Sequence, residues 1–141
     1  MTEVRRATEA DAPACARIVD DWIEATDWMP RDIEYDGLIK ALSEGMAIRE
    51  IYVAGDPVTG YLAFWPEKAH ITGFYCARQG AGIGKALLDH VKQGRAYLRL
   101  NTHLANERAQ RFYRREGFVA VKEMAGDTPE APRELRMEWR A

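Results

Sequence analysis

The feature that most constrains this chain is a glycine-rich turn set between a strand-like run and a helical stripe. His70 to Cys76 is apolar and aromatic enough for a strand. Gln79-Gly80-Ala81-Gly82-Ile83-Gly84-Lys85 follows, and Ile83, Leu87, Leu88 and Val91 then recur at the spacing of one helix face, closed by Gly94. Tyr97 to Asn101 returns to strand character. A strand, a glycine turn, a helix and a second strand thus form one unit at the heart of the chain. Glycines in such a turn let the backbone approach a ligand closely. The free amides at the helix start, with the helix dipole, make an anion site suited to phosphate, and the alternative is a tight turn used only for packing.

The remaining chain supplies the other elements. Glu3 to Arg6 reads as a short strand, and Thr8 with Asp11 resembles a capping box. Behind it Cys15, Ile18, Val19, Trp22 and Ile23 make one apolar helical stripe, broken by Asp27-Trp28-Met29-Pro30. A second helix is predicted over about residues 32–44, with Leu38, Ile39 and Leu42 inward and Gly45 as stop. Met46 to Ala54 and Val58 to Trp65 read as a hairpin joined by Gly55-Asp56-Pro57. Ala105, Ala109, Phe112 and Tyr113 share a helical face that Gly117 closes. Phe118 to Met124 and Glu134 to Arg140 are predicted as strands, the latter with Leu135, Met137 and Trp139 alternating against charged residues. The predicted order is βααβββαβαββ, an α+β mixture.

Composition narrows the function. At 141 residues, 47% of them hydrophobic, the chain is expected to form a single domain over 1–141 with a real core. Basic and acidic residues nearly balance, 20 against 22, which argues against nucleic acid as the main partner. No run approaches the ~18 apolar residues of a membrane span. The N-terminal MTEVRRATEADA has no apolar h-region, so a cytoplasmic protein without a membrane partner is expected. Cys15 and Cys76 make neither a disulfide scaffold nor a metal cluster, and the three histidines lack metal-ligand spacing.

The glycine turn fails two common phosphate motifs. In the G-x-G-x-x-G fingerprint, Gly80 and Gly82 would require glycine where Lys85 stands. Walker A would need glycine at Gln79 and Ser or Thr at Ala86. Gln79, Gly82 and Gly84 instead resemble the [Q/R]-x-x-G-x-[G/A] pyrophosphate motif of the GCN5-related N-acetyltransferase (GNAT) family. Asn106, Ala109, Phe112, Tyr113, Gly117 and Phe118 match that family's second signature, N-x-x-A-x-x-F-Y-x-x-x-G-F. The two motifs cover about residues 70 to 120 in the right order. One departure is a short approach to the first motif, with Cys76 three residues before Gln79 and no proline between them.

The resemblance implies a GNAT fold, a mixed central sheet flanked by helices. It implies acetyl transfer from acetyl-CoA to a primary amine of a small molecule or protein, by direct attack in a ternary complex and without a metal. A non-catalytic acyl-CoA-binding or interaction domain of the same fold is the alternative. The residues expected at the cofactor are Phe74, Tyr75, Cys76, Gln79, Gly80, Ala81, Gly82, Ile83, Gly84, Lys85 and Asn106. Tyr113 is carried over as the acid for the departing thiolate. His70, at the start of its strand with Glu67 nearby, is the candidate base, and His90 and His103 have weaker claims. Trp28 and Met29 are expected to border the acceptor. Acidic residues between 20 and 36 suggest either a mouth for a cationic amine or two solvated helix faces, the latter the blander reading. Arg108, Arg111, Arg114 and Arg115 receive no role. Ser43 is the lone serine and lies outside any G-x-S-x-G context, which argues against a serine nucleophile. A homodimer paired through the Leu135–Met137–Trp139 strand is an open possibility.

Overall fold

The computed structural model describes residues 3–77 and 82–141. Gln79, Gly80 and Ala81 lie outside the described residues. The elements run β1 (Val4–Arg6), α1 (Ala12–Glu24), α2 (Tyr35–Gly45), β2 (Glu50–Ala54), β3 (Gly60–Trp65), β4 (His70–Cys76), α3 (Ile83–Lys92), β5 (Tyr97–His103), α4 (Glu107–Arg115), β6 (Val119–Met124) and β7 (Glu134–Arg140). Two short 3₁₀ turns, Glu9–Asp11 and Pro66–Lys68, precede α1 and β4. The order is the expected βααβββαβαββ.

The strands form one seven-stranded sheet in the order β1-β2-β3-β4-β5-β7-β6. Among the described residues β4 and β5 pair in parallel and the other neighbours are antiparallel. Strand alternation gives the sheet two apolar faces. Leu62, Phe64, Ile71, Leu98, Leu100 and Met137 are buried on the first, where Leu87 and Leu88 of α3 cover them. Cys15, Val19 and Ile23 of α1 pack with Ile51, Val53, Tyr61 and Ala63 on the second, and Leu38 and Leu42 of α2 adjoin them. Each fully buried side chain of this kind stabilises the fold by about 1.5–3 kcal/mol.

The structure revises several boundaries. The chain stays in helical turns past Gly45, with the amides of Ile48 and Arg49 donating to the Gly45 carbonyl at 3.1 and 2.9 Å, so β2 begins at Glu50 rather than Met46. β5 runs on to His103 because β7 pairs with it along its whole length, from Tyr97↔Arg140 to His103↔Glu134. β7 is hydrogen-bonded to β5 on one side and β6 on the other. It therefore has no free edge, which removes the dimer route through that strand. The free edge on this side belongs to β6, whose Val119 and Val121 are exposed.

The parallel pair creates the main opening. β4 and β5 share register only at His70↔Arg99 and Ile71↔Leu100. Ala63 pairs with Gly73 and Phe64 with Ile71, so Thr72 is an extra residue in β4. A bulge bends its strand and increases the local twist. It falls where pairing stops, and the rest of β4 diverges from β5.

Candidate active site

A cleft of about 1150 Å³ occupies the gap between the diverging strands. One wall is β4 from Ile71 to Cys76, and the other is β5 from Leu100 to His103. Gly82, Ile83, Gly84 and Lys85 close one side, and Asn106 with α4 closes the next.

Gly82 takes φ +77°, a left-handed conformation that suits glycine, and caps α3. The first backbone bond of the helix is Ala86 N–H to Gly82 O at 3.0 Å, so the amides of Ile83, Gly84 and Lys85 have no partner within the helix. A methyl on Gly84 would sit 3.4 Å from Phe112 Cζ and 3.7 Å from Cys76 Sγ and Phe74 Cζ. Glycine thus lets α3 pack closely on β4 and α4 at the base of the cleft. Lys85 is exposed and paired with Asp89 at 3.1 Å and Glu116 at 3.2 Å. Arg108, Arg111, Arg114 and Arg115 all line the cleft from α4. The basic run that sequence alone left without a role thus contributes to a cationic wall beside the glycine turn.

Asn106 caps α4, its Oδ1 accepting from Ala109 N–H at 3.1 Å. The same residue lines the cleft, which leaves its amide nitrogen for a ligand. Tyr113 is buried, with its ring centroid 5.5 Å from Phe112, 5.6 Å from Phe118 and 6.1 Å from Phe74. Its hydroxyl has no hydrogen-bond partner among the described residues, and burial pushes the phenol above its ordinary value. The group therefore holds its proton through the neutral range. Burial also raises the Cys76 thiol to about 11 and Cys15 to about 12, so neither is a thiolate at neutral pH. Phe74 packs against the first core face, and Tyr75 packs beside Tyr61 and Trp22 on the second.

The acceptor side departs most from expectation. His70 is half-buried at the start of β4, paired with Trp65 and Arg99, and is not among the residues lining the cleft. His103 does line it. Its ring stacks on Trp22 at 6.3 Å and meets Trp28 edge-on at 5.2 Å, and its Nδ1 is buried with no partner among the described residues. Burial, against a smaller opposing effect of Glu134, lowers the imidazole from its usual value. The Gln110 amide donates to the carbonyls of His103 at 3.2 Å and Leu104 at 2.9 Å, anchoring the turn after β5. Gln110 was not singled out from the sequence, and a polar residue on the face shared by Tyr113 was the available sign. Reading β5 two residues further would have placed His103 on the same face as Arg99 and Asn101.

Trp28 touches both Trp22 and His103, whereas Met29 packs into the second core. The acidic run is partly neutralised within the chain. Arg31 holds Asp20 at 2.8 Å and Glu24 at 2.7 Å, which favours solvated helix faces over an open acidic mouth. Among the described residues no group of three or more His, Cys, Asp or Glu could hold a metal. Among the described residues no helix is long and apolar enough to cross a membrane.

A family model described as an acetyltransferase (GNAT) domain matches residues 47–120, more than half of the chain. The chain is 26% identical, over 96% of its length and 95% of the relative's, to the peptidyl-lysine N-acetyltransferase YiaC of Escherichia coli (strain K12). The fold is shared with a ribosomal-protein-alanine N-acetyltransferase from Brucella melitensis, at TM-score 0.74, 22% identity and 99% coverage of both chains. It is shared also with yncA from Salmonella typhimurium, named as an acetyltransferase and solved with its cofactor acetyl-CoA, at TM-score 0.75, 19% identity, and 99% and 94% coverage. With the splayed strands, the glycine-capped helix and the matching family model together, the chain belongs to the GNAT family of acetyltransferases, enzymes that take their acetyl group from acetyl-CoA.

Proposed function

We propose that this chain transfers the acetyl group of acetyl-CoA directly to a primary amine, with Tyr113 as the acid and His103 as the base. The observation that carries this reading is the cleft between β4 and β5, lined by the arginines of α4 and by His103, whose Nδ1 has no partner among the described residues. The pyrophosphate sits on the amides that begin α3, and the sequence motif assigns Gln79, Gly80 and Ala81 to the same cradle. The pantetheine arm lies between the diverging strands beside Phe74, Tyr75 and Cys76, with the Asn106 amide within the same cleft. Arg108, Arg111, Arg114 and Arg115 line the same cleft and supply positive charge for the phosphates.

The reacting amine must be neutral to attack. His103 is itself neutral at pH 7 and takes the ammonium proton. The amine nitrogen then bonds to the thioester carbon, and a β4 backbone amide supports the developing oxyanion. Collapse breaks the carbon–sulfur bond, and the Tyr113 hydroxyl gives its proton to the leaving thiolate. The excess proton on nitrogen leaves the product amide for solvent, and the phenolate is reprotonated. His70 lies outside the cleft lining, and this assigns the base to His103 within the reading.

The acceptor class follows the amine alone at this level. The relative named for peptidyl-lysine acetylation brings protein lysine into it alongside small amines. The direct test is calorimetric titration with acetyl-CoA, with ATP and NADH as controls, followed by a thiol-release screen of amines. Saturable binding of acetyl-CoA alone, with amine-dependent release of CoA, is the expected result. Binding without release from any amine points to a non-catalytic acyl-CoA-binding domain, and absence of binding overturns the reading.

A further inference from the structure

A second cationic group lies where β4 and β5 are still paired, toward the end of β5 opposite His103. β5 alternates strictly, with Leu98, Leu100 and Thr102 buried and Arg99, Asn101 and His103 on the opposite face. On β7, Arg136 pairs with Asn101 and Glu138 with Arg99, so Arg99 and Arg136 are diagonal neighbours on that face. His70 is the register partner of Arg99 on β4. Arg49 approaches from the segment after α2, its guanidinium carbon 5.8 Å from the ring of Trp65, the residue paired with His70. Three half-buried guanidiniums therefore gather around one imidazole.

No carboxylate among the described residues neutralises them. Among the described residues, none of the three has a carboxylate within salt-bridge distance, although the chain forms such pairs freely elsewhere. Glu138 stands opposite Arg99, but it accepts from the Tyr97 hydroxyl at 2.8 Å and pairs with Arg140 at 3.3 Å. Arg99 Nε is tied to the Lys68 carbonyl at 3.0 Å and Arg136 Nε to Asn101 Oδ1 at 3.2 Å. These bonds fix the two side chains and leave their terminal nitrogens without partners among the described residues. The Nε of Arg49 is buried and has no partner among the described residues. Unpaired cations held partly out of water are costly unless an anion joins them. Burial and the same three arginines push His70 down to about 4, so the imidazole adds no further positive charge at neutral pH.

The position indicates which ligand supplies that anion. CoA phosphates belong at the far end of β4, about 20 Å away along a seven-residue strand. Asn101, by contrast, lines the cleft and accepts the Arg136 bond, and Arg99 lies only two residues, about 7 Å, further along the same face. We propose that Arg49, Arg99 and Arg136 form the anion site of the acceptor, which is a small amine bearing a carboxylate or comparable oxyanion. The inference rests on the acetyltransferase reading and specifies its substrate class.

The test is calorimetry on protein saturated with CoA, using matched probes: glycine and glycinamide, L-methionine and L-methioninamide, 6-aminohexanoate and 6-aminohexanamide. At least one carboxylate should bind ten times more tightly than its amide, as expected for charge-assisted hydrogen bonds. Arg99→Gln and, separately, Arg49→Gln should abolish the difference while leaving the Kd for CoA unchanged. The two side chains come from different segments, so disturbance of one loop cannot account for both losses. Equal binding within every pair, no binding of any probe, or a preference that survives both substitutions overturns the anion site. Acetyl-CoA titration of the same samples separates the two levels: failure to bind acetyl-CoA removes the transferase reading itself. Bound cofactor with equal thiol release from acids and amides removes only the anion site.

Discussion

Replacing Tyr113 by phenylalanine separates chemistry from packing, because the structure gives opposite expectations for the two. The ring is buried among Phe74, Phe112 and Phe118, and phenylalanine keeps every one of those contacts. The hydroxyl has no hydrogen-bond partner among the described residues, so its removal forfeits no internal bond. A buried donor without a partner costs roughly 1–3 kcal/mol, less where it borders a wet cleft. Tyr113→Phe should therefore leave stability within about 1 kcal/mol of the parent or raise it. That corresponds to a Tm change of no more than a few degrees in a chain of this size. Acetyl-CoA affinity should be unchanged as well, since the phenol contributes at the sulfur only when the bond breaks. Loss of a positioned acid lowers kcat by about 10²–10⁴-fold. Thermal unfolding, calorimetry and thiol-release kinetics on the same preparation read the three quantities. Full turnover in the variant would refute the acid role, and a large fall in Tm would show that the hydroxyl is structural.

Two further substitutions test the ends of the cleft. His103→Gln should lower kcat/KM by roughly 10²-fold. Because burial holds this imidazole below its usual value, its neutral, base-competent form is lost only as pH falls below 6.5. The parent rate should therefore be flat near neutrality and fall in acid, and the variant should lose that acid limb; a retained limb assigns the base elsewhere. Gly60→Ala places a methyl 2.7 Å from Ile83 Cγ2, 3.2 Å from Cys76 Sγ and 3.3 Å from Leu87 Cδ1. Overpacking of this kind costs about 1–3 kcal/mol, and here it displaces the start of α3. Both a lower Tm and weaker acetyl-CoA binding are expected, and unchanged values for both would show that the helix start yields freely.

Periodicity and turn chemistry were enough to order the elements. The stripe Ile83, Leu87, Leu88, Val91 became the buried face of α3, and Leu135 and Met137 became the inward side of β7. Local signals worked there because a helix or strand must bury its own apolar face, and that face repeats at a fixed period. They worked less well at Met46–Arg49, where an apolar run was claimed by helical turns continuing past Gly45. Asn106 shows the two levels together, its place in the motif being local and its position in the cleft wall being tertiary.

What the sequence determined by itself was the element order, the glycine turn and the pair of motifs that mark the family, since each depends on residues close in the chain. The tertiary structure decided which charged and aromatic side chains meet. His103 gains its setting from Trp22 on α1 and Trp28 beyond it, and Arg99 gains its neighbours from β4, β7 and the segment after α2. These contacts depend on strand register and on the divergence of β4 from β5 at Thr72, and no local period encodes either. His70 and His103 look alike as isolated histidines. The sheet places one among arginines and the other against the cleft because they occupy opposite ends of a parallel pair.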